Sequence, residues 1–124
     1  MIMTNRCFIV ENPTTEENVS EYHVTANGLG FGVFKANIDR NRRKKICVIS
    51  FDFRSNNNDQ TFENEIFKEV FLNLAKRAKL PVCFKSSVLT ENTKKVLTEI
   101  GAKEVVDVEH IWPDAFNIFK LEVE

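Results

Sequence analysis

The stretch Arg54-Ser55-Asn56-Asn57-Asn58-Asp59-Gln60-Thr61 is where this chain could best hold a charged ligand. It follows a β-branched and aromatic run and precedes a long helical pattern, so it reads as a loop feeding a helix start. The first turn of a helix carries backbone N–H groups with no intrahelical partner, and the helix dipole adds positive potential there, which together suit a phosphate. Arg54 would contribute a guanidinium. Asn57 tolerates a left-handed backbone better than most non-glycine residues, and Asp59 reads as a helix N-cap.

Groups for proton transfer are scarcer. Tyr22 is the only tyrosine, His23 and His110 are the only imidazoles, and Cys83, Ser86 and Ser87 lie together further on. No spacing ties any of them to a second catalytic group. Cys83 as a nucleophile would need a His partner and a depressed pKa, so a buried thiol is expected. Asp52, at a strand end beside Ser50, is expected to be solvated or to cap rather than to act as a base tuned by burial. His110, beside Trp112, reads as a surface turn under an aromatic anchor.

The elements that must position these groups follow from apolar periodicity. Cys7 to Val10 reads as a strand ended by Asn12-Pro13, and Thr14 to Ser20 as a loop or one short helix. The glycines Gly28, Gly30 and Gly32 allow a sharp turn before a strand from Phe31 to Ile38. Asp39 to Lys45 reads as a charged hairpin tip. Ile46 to Phe53 has the apolar content of a central strand covered on both faces. Phe62, Ile66, Val70, Leu74 and Ala78 recur at steps of four beside Phe67, Phe71 and Ala75, which predicts one long amphipathic helix with the phenylalanines in the core. Pro81 stops it, and Val82 to Val88 reads as a short strand. Thr90 is the predicted N-cap of a brief second helix, closed by Gly101 in a left-handed conformation. Val105 to Val108 and Phe116 to Val123 read as an antiparallel pair joined around Trp112-Pro113.

Composition bounds the class. The 124 residues, 43% hydrophobic with eleven Phe, fit one domain, residues 1–124, with an aromatic core. A formal charge of -1 gives no field to draw in nucleic acid or an anionic membrane. The basic run Arg40, Arg42, Arg43, Lys44 and Lys45 has no interleaved aromatics and is expected to be a solvated tip, with a nucleic-acid site or attraction of an adenosine phosphate as the alternatives. Three widely spaced cysteines, no zinc-ligand spacing, no signal-peptide pattern and no long apolar run lead to an expectation of a cytoplasmic chain without a metal.

From Lys45 to Val123 the succession of strand, loop, long helix, strand, short helix and final strands resembles the GNAT acyltransferases. That family's loop motif is Arg or Gln, two residues, Gly, any residue, then Gly or Ala. Arg54 matches, while Asn57 and Asp59 stand at the two small positions. The family's second helix is led by Asn and ends in Tyr, three residues, Gly and Phe. Counting back from Gly101 places Thr90 at the Asn position and Leu97 at the Tyr position, with Ala102 for Phe. The resemblance implies an α/β (α+β) fold with a mixed, mostly antiparallel sheet, one long and one short C-terminal helix, and reduced N-terminal helices. It implies acetyl-CoA as cofactor, with its pantetheine along the strand at Val48, Ile49, Phe51 and Phe53 and its pyrophosphate held by Arg54, Asn56, Asn57, Asn58, Asp59, Gln60 and Thr61. Leu97 has no proton for a leaving thiolate, so whether the chain is an enzyme stays open between an N-acyltransferase and a catalytically empty module. The ending also resembles GNAT-like internal virion proteins of short-tailed phages, which implies a virion or protein-interaction role. Acceptor binding in that fold belongs to the N-terminal segment, and its brevity here leads to an expectation of a groove that is open or completed by another subunit, with a homo-oligomer or a protein partner as the expected association.

Overall fold

The computed structural model describes residues 2–3, 7–12, 18–26, 29–41, 43–55, 60–106 and 117–122. Over these residues the chain forms one sheet of eight strands in the order β1-β2-β3-β4-β5-β6-β8-β7, and two helices. The strands are β1 (Ile2–Met3), β2 (Cys7–Asn12), β3 (Val19–Ala26), β4 (Leu29–Asn41), β5 (Ile46–Ser55), β6 (Val82–Lys85), β7 (Lys103–Val106) and β8 (Asn117–Leu121). The helices are α1 (Gln60–Ala78) and α2 (Glu91–Glu99). Every pairing is antiparallel except β5 with β6. That exception follows from chain order, since α1 carries the chain back along the sheet between those two strands.

Helix α1 covers one face of the sheet. Its Ile66, Val70, Phe71 and Leu74 are fully buried, in one core cluster with Phe34 of β4, Phe84 of β6 and Val96 and Leu97 of α2. Both helices therefore lie on the same side. The rings interlock: Phe34 stacks on Phe51 at 5.1 Å, and Phe71 meets Phe51 at 5.2 Å and Phe84 at 5.1 Å edge to face. Tyr22 is buried in this layer and donates to Asn73 Oδ1 at 2.7 Å, and burial pushes its hydroxyl up to a pKa of about 12.

No described helix covers the opposite face. There the alternation of the strands presents Lys35, Asn37, Ser50, Asp52 and Arg54 to solvent, and a small separate cluster of Ile46, Cys83 and Ile118 closes the β6 side. Cys47 and Cys83 are both buried, as expected for core thiols. Among the described residues no helix precedes Gln60.

Several boundaries differ from the expected ones for local reasons. Val19–Ala26 is a strand, although a loop was expected up to Ser20; its inward Ser20, Tyr22 and Val24 are buried, but Ser20 hid the alternation. β5 is covered on both faces only over its first residues and alternates from Ser50 onward. The strand at Val82 ends at Lys85, where Ser86–Val88 turns as a 3₁₀ helix. The hairpin tip is shorter than Asp39 to Lys45: Asp39 to Asn41 still pair in β4, and Asn41 Oδ1 accepts the Lys44 N–H at 3.0 Å. Arg40 is not a free tip cation, because it donates to the Ala78 carbonyl at 3.1 Å and so satisfies the end of α1. Lys79 then leaves the helix with φ 56°, and Pro81 follows. Trp112, Pro113 and His110 lie outside the described residues.

Candidate functional site

Strands β5 and β6 pair over only three positions, Cys47↔Val82, Val48↔Cys83 and Ile49↔Phe84. Beyond them the two strands part. Ser86 is drawn away from β5 because its buried hydroxyl donates to Glu104 Oε2 at 2.5 Å, while β5 continues to Ser55 paired with β4, with no described strand on its other edge. Gly32 permits that continuation: a Cβ there would lie 2.6 Å from the Arg54 carbonyl, so only glycine lets β4 approach this end of β5.

The parting opens a cleft of about 430 Å³, a size common for small-molecule sites. Ile49, Ser50, Phe51, Asp52, Phe53 and Ser55 of β5 form one wall, and Phe84 and Lys85 of β6 the other. Glu63 and Phe67 from the start of α1 close it on the helix side, and Val88, Leu89, Thr90 and Thr93 close it where α2 begins. Its floor is aromatic, with Phe67 edge-on to Phe53 at 5.4 Å and to Phe51 at 5.7 Å. Thr90 caps α2 as expected, accepting the Thr93 N–H at 3.1 Å, and the two hydroxyls lie 2.9 Å apart at the rim. Gly101 closes α2 with φ 103°. Burial raises the pKa of the Glu63 carboxyl, against the lowering expected in a first helical turn.

Of the strand residues expected to meet pantetheine, Ile49, Phe51 and Phe53 line the cleft. Val48 packs instead against Ile46, Cys83 and Ile118. Arg54 faces the helix-free side, 88% exposed, with its Nε 3.0 Å from Asp52 Oδ2. Thr61 is exposed in the first turn of α1, the side chain of Gln60 is not described, and Asn56, Asn57, Asn58 and Asp59 lie outside the described residues.

The candidate proton donors are dispersed. Tyr22 is in the core, His23 lies on the helix-free face 2.6 Å from Glu21, Cys83 is buried in the smaller cluster, Ser86 is bonded to Glu104, and Ser87 is exposed. None of the five lines the cleft. Leu97 is 0% exposed and belongs to the core. Sequence reasoning missed Glu63, Lys85 and Thr93 as wall residues. Glu63 did leave a signal: it heads the row Glu63, Phe67, Phe71, in which a carboxylate leads an apolar stripe at steps of four. Among the described residues, no three His, Cys, Asp or Glu side chains gather as a metal site.

Several solved structures resemble this chain in fold. An acetyltransferase of Bacillus subtilis in complex with CoA superposes with a TM-score of 0.62 over 96% of this chain and 100% of its own, at 10% identity. A ribosomal L7/L12 α-N-protein acetyltransferase in complex with CoA gives 0.55 at 12% identity, over 86% of this chain and 63% of its own. A spermidine N-acetyltransferase of Vibrio cholerae gives 0.52 at 12% identity, over 86% and 65%. No protein-family model and no curated protein sequence matches the chain. At these identities the likeness is one of fold: the chain has the GNAT acetyltransferase fold, a mixed, mostly antiparallel sheet with one long and one short C-terminal helix. None of these three is a virion protein. No described helix is long and apolar enough to cross a membrane.

Proposed function

We propose that the chain binds an acyl-CoA in the β5–β6 cleft and presents its thioester to an amine. The parting of the two strands after Ile49 carries this reading. An extended chain of amides and methylenes can lie along a strand edge that has lost its neighbour, taking hydrogen bonds that a strand would otherwise take. The donor set fits that role, since the backbone from Ile49 to Phe53 faces the cleft over an apolar floor with hydroxyls at its rim. The amides from Asn56 to Thr61 are assigned to the phosphates, as the start of a long helix favours an anion. Two of the superposing acetyltransferases are complexes with CoA, which supports the same ligand here.

In the reaction, the amine nitrogen would attack the thioester carbonyl, the C–S bond would break, and the amine proton would pass to the leaving thiolate or to water. A second reading follows from Leu97. The family position that supplies a proton is here a fully buried leucine, which favours a protein that binds without transferring and acts through a partner protein.

Thermal-shift titration with acetyl-CoA tests the binding. A ligand at 100 times its Kd stabilises the native state by about 2.7 kcal/mol, so a clear rise in Tm is expected, and no rise at millimolar acetyl-CoA rejects the acyl-CoA reading. Thiol release in the presence of a panel of primary amines separates the two readings. Amine-dependent release supports the transferase, and stabilisation without release supports the binding module.

A further inference from the structure

Resting on the acyl-CoA reading, we infer that the cleft recognises the pantetheine arm of its donor and gains little affinity from the diphosphate, because Glu63 is built into the turn the diphosphate must approach. Glu63 lies three residues after the first residue of α1, a rise of about 4.5 Å, and it lines the cleft. An anion on the amides at the helix start is therefore a close neighbour of this carboxylate.

Nothing described nearby offsets it. Strand alternation turns Arg54 to the helix-free face, where it pairs with Asp52. Lys85 lines the cleft, but the register places it level with Ser50, roughly 16 Å along β5 from the end at Ser55. From Ser55 to Thr61 the sequence contains no Lys or Arg and adds Asp59. Around Glu63 the cleft is lined by Phe51, Phe53 and Phe67 and by the uncharged Thr90 and Thr93 of α2; the Asp52 side chain turns with Arg54 to the helix-free face, and Lys85, level with Ser50, belongs to that same face. Burial already disfavours the ionised Glu63, and a bound diphosphate would disfavour it further. Phe51, Phe53 and Phe67, by contrast, suit an uncharged chain. Affinity for the whole coenzyme should then be coupled to protonation of Glu63, while affinity for the arm alone should not.

Isothermal titration calorimetry with acetyl-CoA and with S-acetylpantetheine tests this on the unaltered protein. At pH 7.5 the two are expected to bind within about threefold of each other, and acetyl-CoA to tighten as pH falls toward 5.5. In Glu63→Gln, acetyl-CoA is expected to bind roughly fivefold tighter, the size of one like-charge contact at aqueous dielectric, with its pH dependence flattened and S-acetylpantetheine unchanged. If acetyl-CoA binds the unaltered protein more than about thirtyfold tighter than S-acetylpantetheine, or if Glu63→Gln shifts both ligands equally, this inference is overturned and the acyl-CoA reading stands. If neither ligand binds, both fall together.

Discussion

The two halves of β5 are one strand with two fates. From Cys47 to Ile49 it lies between β4 and β6, and Ile46, Cys47 and Ile49 are at most 3% exposed. From Ser50 to Ser55 it keeps β4, loses β6, and alternates between aromatic residues under α1 and polar residues in solvent. The first half is held on every side and adds stability. The second half has no described strand on its other edge, and that edge is the feature from which a binding function can be argued. The difference shows that a site can be made by ending a pairing rather than by adding residues, and here the break is fixed from outside β5 by the bond between Ser86 and Glu104.

Three expectations sharpen the contrast. The largest concerns the closed half: Ile46→Ala removes a side chain that is 3% exposed and should cost about 2–5 kcal/mol in urea unfolding. Ser50→Ala on the open half should stay within about 0.5 kcal/mol. Equal losses at both positions would erase the distinction.

Next comes the core beneath α1. Tyr22 is the chain's only tyrosine, so its absorbance reports one group, and its phenolate should appear near pH 12 rather than the usual 10.0 while the protein stays folded. The folded pKa is raised, so the associated stability is complete below pH 10 and is lost as pH rises toward 12, by about 2–3 kcal/mol. A midpoint near pH 10 in the folded protein would place Tyr22 in solvent rather than in this core. The smallest effect is at the far end of the open half. Gly32→Ala sets a Cβ against the Arg54 carbonyl and should destabilise by about 1–3 kcal/mol in the same unfolding assay; a neutral result would mean that β4 does not hold this end closely.

How much of this could be read beforehand depended on whether the cause was local. The steps of four from Phe62 to Ala78, the cap at Thr90 and the left-handed Gly101 are decided within a few residues, and each stands where expected. The strand at Val19–Ala26 was hidden because its inward Ser20 is polar, and a buried serine looks the same as a loop serine in sequence. The strand from Val82 is shorter than its apolar content to Val88 suggests, because Ser86 is bonded to Glu104, eighteen residues later. The site divided in the same way. Ile49, Phe51 and Phe53, which the family resemblance places along the ligand strand, line the cleft because alternation turns them toward α1. Arg54 faces away because its face is fixed by the register of the strand, and Glu63 and Thr93 enter the cleft only through the docking of two helices.

Amide hydrogen exchange with and without acetyl-CoA tests the central claim most directly. The account predicts that saturating acetyl-CoA slows exchange in Ser50 to Ser55 and the first turn of α1, and leaves Cys47 to Ile49, already protected by pairing on both sides, unchanged. Protection confined to the helix-free face, or none in the open half of β5 despite measurable binding, would contradict it.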